Sequence, residues 1–204
     1  MIRVEHRTMK MDGMKIREEG GVRKLEGYFS VFDEPYEVVP GWIETVAPGA
    51  FDRALASGED VKVLWNHDSN IVLGSTENRT ARLHADGHGL FGSSDINEQD
   101  QDAKNAYARV DRGDVRGCSF GFDISKQEEW WDDDGTYHTK ILEAYPLYEV
   151  SPCTFPAYTQ TSVTARAKEQ LETAKQNLAQ AREKKRNEWR EKMLVRLKGE
   201  NNGT

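Results

Sequence analysis

Residues 165–198 contain neither glycine nor proline, which separates them from the rest of the chain. Apolar side chains recur there at steps of three and four residues, the spacing of one face of a helix. They are Leu171, Ala174, Leu178 and Ala181, then, after a break in register at Lys185, Trp189, Met193 and Leu197. The pattern predicts one long, highly charged helix with a narrow apolar seam, suited to a weak coiled coil, a docking element or a solvated tail.

The chain before this helix alternates short apolar segments with turn signals such as Asp86-Gly87. The predicted strands cover residues 24–32, 44–46, 61–65, 71–74, 79–84, 89–96, 117–122, 136–142 and 147–151, and the predicted helices cover residues 51–57 and 98–111. Many short strands with two helices indicate an α+β fold with a β-rich barrel or sandwich core. We therefore expect a polar arm or first edge strand over residues 1–23, a folded domain over 24–160 and a charged helical tail over 165–198.

The charge and composition of the chain limit the kinds of partner that we expect it to bind. The net charge is -7 over 204 residues and no basic cluster lies outside the tail, so we expect the folded part to bind no nucleic acid. No apolar run is long enough for a membrane span, and Met1–Gly13 lacks an apolar signal-peptide centre. Cys118 and Cys153 are too few for a disulfide framework or a thiolate zinc site. We expect a reducing, cytoplasmic setting and, without a phosphate-loop or dinucleotide motif, no cofactor.

One predicted strand has the sequence GCSFGF and carries a single hydroxyl, that of Ser119. Side chains of an extended chain alternate between two faces, so Cys118, Phe120 and Phe122 would share a core face. Ser119 and Gly121 would share an open face, where another backbone can approach closely. This arrangement suits a nucleophilic serine in a peptide-cleaving enzyme, and the alternative is an ordinary strand serine beside a bulge glycine.

An activated serine needs a base within hydrogen-bonding reach, and His67 is the candidate. It directly follows the apolar strand that ends at Trp65 and lies in a polar turn with Asn66 and Asp68. The alternative is a turn histidine bonded to Asp68. The other histidines are predicted in a polar arm, around a hairpin turn or on an exposed strand: His6, His84, His88 and His138.

Glu149 is the candidate acid that would orient the base. Its predicted strand also carries Leu147 and Ser151 on the same face, so its carboxylate is expected to be half-buried and in need of a partner. An imidazolium would serve, and an arginine or backbone amides are the alternatives.

Two rival interpretations use some of the same residues. Cys118 could be the nucleophile, but strand alternation turns it towards the two phenylalanines, where we expect it to be buried and inert. A zinc site could be built from His67, His84, His88 and Cys118, but no pair of them has a familiar ligand spacing on one element.

The order and the sequences of several segments resemble those of the prohead maturation proteases of tailed bacteriophages. These are serine proteases related in fold to the herpesvirus capsid protease assemblin. The matching segments are residues 26–33, 47–51, 63–68, 72–74, 89–92, 117–122, 149–152 and 154–158. The resemblance runs over about residues 25–160 in the family's order. It implies a barrel-like β core wrapped by helices.

The resemblance also implies site residues. The family's histidine falls on His67 and its serine on Ser119. The third member falls on Glu149. His138 is the alternative, because the resemblance to the herpesvirus enzymes implies a second histidine as the third member of the triad. Backbone amides would stabilise the oxyanion, with Gly117 and Gly121 near the approaching substrate.

The function implied is that of a serine endopeptidase of phage prohead maturation. Its substrates would be the scaffolding region of the major capsid protein and the protease itself, cut inside the assembling prohead in the host cytoplasm. Weak self-association through the seam from Leu171 to Ala181 is also expected. One alternative is a catalytically silent assembly factor that acts through its C-terminal helix, and another is a hydrolase of a different ester or amide.

Overall fold

A computed structural model describes residues 5–10, 14–155 and 161–200. The chain divides into two compact units, Met1–Thr161 and Ser162–Thr204. The strands are β1 (Glu5–Lys10), β2 (Lys15–Glu19), β3 (Val22–Val31), β4 (Tyr36–Val39), β5 (Trp42–Val46), β6 (Lys62–Trp65), β7 (Asp68–Ser75), β8 (Ala81–Ala85), β9 (Gly89–Asp95), β10 (Gly117–Trp131) and β11 (Tyr137–Cys153). The helices are α1 (Asp52–Ser57), α2 (Gln101–Asp111) and α3 (Thr161–Glu200).

The strands of the first unit form two sheets. In the seven-stranded sheet the order is β1-β10-β11-β5-β4, and β6 pairs with both β11 and β7. The four-stranded sheet has the order β2-β3-β9-β8. The predicted α+β class is confirmed, but the strands of the described ranges form two open sheets, so the expected barrel closure is not found there.

The long antiparallel hairpin of β10 and β11 organises the first sheet. The sequence predicts separate strands over 136–142 and 147–151, whereas β11 runs through both. The reason is its pairing. It follows β10 along almost its whole length, and its other edge pairs in parallel first with β5 and then with β6. Shifts in register between Gly121 and Gln127 accommodate the irregular middle of the hairpin.

The alternation predicted for β10 is observed on its core face. Cys118, Phe120 and Phe122 are fully buried, and the ring of Phe120 packs edge-on against Phe51 at 5.3 Å between centroids. Phe51 immediately precedes α1, whose end is set by Gly58 in the left-handed conformation at φ 73°. This packing holds the core face of β10 in place and leaves the opposite face of the strand for polar residues.

Helix α2 is observed where the sequence predicts it, but it begins at Gln101 instead of residue 98. The Asp100 side chain accepts a hydrogen bond of 2.9 Å from the backbone N–H of Asp102, which caps the helix. The buried face is the predicted one and consists of Ala103, Ala106, Tyr107 and Val110.

The described part of residues 1–23 forms two edge strands, β1 and β2. Strand β1 pairs with β10, and its Arg7 side chain is buried in an ion pair with Glu44 of β5. Strand β2 pairs with β3 at the edge of the second sheet.

The predicted C-terminal helix is observed as α3. It carries ion pairs between side chains three residues apart, such as Lys175 with Glu172 at 2.8 Å. Two members of the expected apolar seam, Trp189 and Met193, are 61% and 40% exposed. None of the helices in the described ranges is long and apolar enough to cross a membrane.

Candidate active site

Ser119 lies in the first sheet, on β10 between the edge strand β1 and β11. Its partner on β1 is Thr8 and its partner on β11 is Ser151. The Ser119 hydroxyl donates a hydrogen bond of 2.9 Å to the carbonyl oxygen of Arg7, and the residue is fully buried. The expectation of an open serine is therefore wrong for this form of the chain, because a sequence pattern gives strand faces but not what covers them.

His67 lies in the two-residue turn that joins β6 to β7. Asn66 and His67 both have left-handed backbone angles, with φ at 54° and 63°, as in the tight turns that match the twist of a hairpin. Neither residue is glycine, so the conformation is strained and needs support from its surroundings.

The end of β11 provides that support. The backbone N–H of Asn66 donates to the carbonyl oxygen of Pro152 at 3.1 Å. The Asn66 amide also donates to Thr154 Oγ1 at 3.1 Å and accepts from the Thr154 N–H at 2.8 Å. These bonds fasten the turn at one edge of the sheet, while Asp68 accepts from the N–H of Asn70.

His67 meets Glu149 directly. The distance between His67 Nδ1 and Glu149 Oε1 is 2.6 Å, and the side chains are 14% and 7% exposed. Glu149 lies on β11 opposite Gly121, whose missing side chain leaves room on that face of the sheet. The expected partnership between this carboxylate and an imidazole is thus present, in place of the alternative bond between His67 and Asp68.

The second carboxylate oxygen of Glu149 is also hydrogen bonded. Ser151 Oγ donates to Glu149 Oε2 and accepts from the His67 backbone N–H at 3.2 Å. Ser151 is fully buried. Both the ring and the main chain of His67 are therefore connected to the same carboxylate.

Cys153 lies beside the other ring nitrogen of His67. Its sulfur is 3.6 Å from His67 Nε2 and within hydrogen-bonding reach of the Ser119 hydroxyl. Burial, with a further contribution from the charge of Glu149, raises the pKa of the Cys153 thiol to about 12. The thiol is therefore neutral at physiological pH and contacts the imidazole as an uncharged group.

These residues share one face of the hairpin. Directly paired strand residues point to the same side of a sheet, so Ser119 and Ser151 share a face, and Glu149 and Cys153 lie two residues to either side of Ser151. With the proton on His67 Nδ1 shared with the carboxylate, Nε2 is the nitrogen able to accept a proton from a hydroxyl. The arrangement can hold an imidazolium next to a buried carboxylate, which is the requirement for activating a serine.

His138, the alternative third member, lies elsewhere. It is at the opposite end of β11, paired with Trp130, and the two rings stack with centroids 5.0 Å apart. His138 Nε2 is 2.7 Å from Asp132 Oδ2. Of the two candidates for the third member, Glu149 is the one that contacts His67.

The two rival interpretations also have a structural outcome. Cys118 is buried on the opposite face of β10, and burial raises the pKa of its thiol. His84 and His88 lie in the second sheet and its hairpin, against Phe91 and Tyr28. Within the described ranges, no three His, Cys, Asp or Glu side chains cluster closely enough to hold a metal ion.

Sequence reasoning placed Ser151 on the face of Glu149 without assigning it a role, and it gave Cys153 none. The signal available was the two-residue spacing of Glu149, Ser151 and Cys153 on one strand. Their contacts with His67 depend on the pairing of β11 with β6, which is not visible in the sequence.

A strand serine on the same sheet face as a carboxylate that contacts an imidazole suits the site of a serine hydrolase. Residues 10–177 match the caudovirus prohead serine protease family, and the chain belongs to this family. The prohead protease of Enterobacteria phage HK97 is 28% identical over 163 residues, a match that covers 78% of this chain and 68% of that protein.

Among solved structures, the bacteriophage T4 capsid assembly protease, gp21, resembles this chain. The TM-score is 0.50 at 14% sequence identity, and the match covers 76% of this chain and 98% of that one. At this identity the similarity shows a shared fold and nothing about the chemistry.

Proposed function

We propose that the chain is a serine endopeptidase in which Ser119 is the nucleophile, His67 the general base and Glu149 the acid that orients it. The observation that carries the proposal is the 2.6 Å contact between His67 Nδ1 and Glu149 Oε1 on the face of the hairpin that bears Ser119. Membership of a family described as serine proteases supports it.

The reaction follows from these roles. His67 Nε2 accepts the proton of the Ser119 hydroxyl as Oγ attacks the scissile carbonyl carbon, and the carbonyl oxygen becomes an oxyanion held by backbone amides. The imidazolium then returns the proton to the leaving amine, and an acyl-serine remains. Water, deprotonated by the same imidazole, releases the acid and restores Ser119. Glu149 keeps the Nδ1 proton in place and stabilises the imidazolium in both halves.

The burial of Ser119 sets a condition on this chemistry. Because the residue is fully buried and its hydroxyl donates to the Arg7 carbonyl, a substrate reaches Oγ only after the surrounding chain has opened. We propose that the described form is a resting state, in which His67 and Glu149 are already in contact.

We propose that the substrates are the scaffolding region of the major capsid protein and the protease itself, cleaved inside the prohead in the host cytoplasm. The support is that two relatives carry the descriptions prohead protease and capsid assembly protease. We also propose that residues 24–160 are the protease domain and that their fold is assemblin-like, with two open sheets in place of a closed barrel.

We propose that the helical tail, residues 165–198, docks onto scaffold or is removed by self-cleavage. The exposed apolar side chains of Trp189 and Met193 on an otherwise charged helix support a docking role. The same observation supports the second candidate function, an assembly factor without catalysis. Replacing both residues with serine should reduce packaging into proheads, whereas the matched change of the exposed Val72 to serine should not.

The test of catalysis is intact-mass spectrometry of the wild-type chain and Ser119→Ala after concentrated incubation, alone and with co-expressed capsid protein. Defined fragments in the wild-type samples alone would establish a serine protease and map the bond cleaved. Fragments at equal rates in both samples would refute the assignment of Ser119. Intact chains in every sample, including those with capsid protein, would favour the silent assembly factor.

A further inference from the structure

Ser151 is a fully buried serine on β11 to which the proposed triad gives no chemical task. We propose that it is a positioning residue of the active site, whose hydroxyl couples the main chain of His67 to the carboxylate of Glu149. This inference rests on the proposed function, since it assigns a role within the same site.

The hydrogen bonds around Ser151 form a closed ring. The His67 N–H donates to Ser151 Oγ at 3.2 Å, and Ser151 Oγ donates to Glu149 Oε2. Glu149 Oε1 then contacts the ring nitrogen Nδ1 of His67 at 2.6 Å. A hydroxyl has one hydrogen to donate and lone pairs to accept, so Ser151 uses both capacities inside this ring.

The ring fixes two features that a single contact would leave adjustable. Two hydrogen bonds to different oxygens set the plane of the Glu149 carboxylate. A bond to the His67 N–H sets the backbone from which the imidazole projects. The position and the orientation of the His67 ring, and with them those of Nε2, are therefore both constrained.

The turn that carries His67 needs this constraint. Asn66 and His67 both have positive φ without being glycine, a conformation that persists only where the surroundings impose it. Asn66 is held through Pro152 and Thr154, while the Ser151 hydroxyl accepts from the His67 N–H itself. Loss of that hydroxyl removes an acceptor at the residue that transfers the proton.

The expected consequence is a slower chemical step with unchanged substrate binding. The hydroxyl of Ser151 is used by His67 and Glu149 as acceptor and donor, so its effect passes through these two residues. Displacements of about 1 Å in a catalytic group lower rates by about 100-fold. We expect Ser151→Ala to lower kcat by about 10- to 100-fold and to leave KM within about twofold.

The experiment compares four full-length chains on a peptide that spans the self-cleavage site found by mass spectrometry. They are the wild type, Ser151→Ala, Ser151→Thr and the control Ser125→Ala. Thr keeps the hydroxyl, as Thr139 does when it donates to Glu44 in the same sheet. Ser125 lies on β10, is exposed and donates to the Tyr145 carbonyl at 2.7 Å, so its removal tests the loss of a serine hydroxyl away from the site.

A spectroscopic readout separates positioning from mere support of the fold. The proton between His67 Nδ1 and Glu149 should give a far-downfield proton resonance in the wild type and in Ser125→Ala. We expect this resonance to broaden or move upfield in Ser151→Ala and to return in Ser151→Thr together with kcat. Thermal unfolding of each chain shows whether the variant is folded, and Ser151→Ala decides alone if the larger Thr does not fit.

The outcomes are distinguishable. Ser151→Ala with a wild-type kcat and an unchanged resonance would overturn the positioning role and leave the triad intact. An unchanged resonance with activity lost only in proportion to unfolded protein would also overturn it, since Ser151 would then support the fold alone. Failure of Ser119-dependent cleavage in the wild type would refute the proposed function, and the resonance would still report whether Ser151 holds the pair.

Discussion

Two buried carboxylates in the same sheet, Glu44 on β5 and Glu149 on β11, are held in the same way and serve different ends. Each has a nitrogen-bearing partner and a hydroxyl donor. Glu44 is paired with Arg7 and accepts from Thr139 Oγ1 at 3.1 Å. Glu149 contacts His67 and accepts from Ser151 Oγ.

The difference lies in what the partner can do with a proton. Burial opposes the charge of Arg7, but the Glu44 carboxylate holds the Arg7 pKa above its ordinary value, so the guanidinium stays charged. It fastens β1 to the sheet. An imidazole exchanges a proton near neutral pH, so the same construction with histidine can serve a reaction.

The neighbours reinforce this difference. Thr139 Oγ1 also accepts from Trp42 Nε1 at 2.8 Å, which closes the Glu44 network within the core. The Nε2 side of the His67 ring instead faces Cys153, which lies within reach of Ser119. The Glu44 carboxylate is therefore enclosed in a network of the core, and we propose that the Glu149 carboxylate polarises His67.

Among the carboxylate variants, Glu149→Gln should have the largest effect on cleavage. The amide removes the charge that stabilises an imidazolium and favours the wrong tautomer, so we expect cleavage to slow by roughly 1,000- to 10,000-fold. The free energy of unfolding should change far less than it does in Glu44→Gln. Rates of fragment formation and urea unfolding check both expectations, and equal loss of stability in the two variants would remove the distinction.

Glu44→Gln should have a large effect on stability and a small effect on cleavage, the reverse of Glu149→Gln. It removes the buried carboxylate that pairs with the Arg7 guanidinium and leaves the pairing with Glu5 Oε2 at 3.0 Å, so we expect a loss of about 3 kcal/mol in the free energy of unfolding. The fraction that stays folded should cleave at nearly the wild-type rate. A variant that is stable but inactive would show that Glu44 takes part in the chemistry.

A third carboxylate, that of Asp60, tests how the contribution of a carboxylate to stability depends on its burial. It accepts from Ser75 Oγ at 2.7 Å and pairs with Lys62, and although burial opposes its charge, these partners lower its pKa to about 2. A lowered pKa stabilises the fold above the ordinary value of 3.8, and this contribution is lost as pH falls from there towards 2. After allowance for solvent screening, we expect Asp60→Asn to lower the free energy of unfolding by about 1 kcal/mol at pH 7. We also expect it to weaken the dependence of this free energy on pH in the acid range. Urea unfolding of the wild type and the variant at pH 7 and pH 3 measures this loss, and an equal loss at both pH values would contradict the prediction.

Cys153→Ala should have the smallest effect. Since the thiol pKa is raised to about 12, a thiolate is almost absent at neutral pH, and we expect cleavage within about threefold of the wild type. A loss as large as that of Glu149→Gln would mean that the sulfur takes part in proton transfer. Peptide cleavage measured beside the buried control Cys118→Ala would distinguish a chemical role from a packing defect.

Local patterns predicted much of the fold and of the site. Strand alternation placed Phe120 and Phe122 in the core, and a glycine stop ended α1. An apolar strand that runs into a polar turn singled out His67, and a carboxylate on a half-buried strand singled out Glu149. The roles of these residues stay predictions, but the structure brings the two together.

The remainder depends on pairings between distant segments. The continuity of β11 follows from its parallel contacts with β5 and β6, which no local pattern encodes. The burial of Ser119 results from its place between β1 and β11. The contacts of Ser151 and Cys153 with His67 join residues more than eighty positions apart. Non-local register, rather than residue type, decides such contacts.

The central claim is that Ser119 and His67 act as one unit, and a double-variant comparison tests it most directly. Rates of cleavage would be measured for Ser119→Ala, His67→Ala and the chain that carries both. We expect each single change to slow cleavage by at least about 10,000-fold and the double change to slow it no further, because either loss already disables the unit. Losses that multiply in the double variant, or a Ser119→Ala chain that cleaves at the wild-type rate, would contradict the claim.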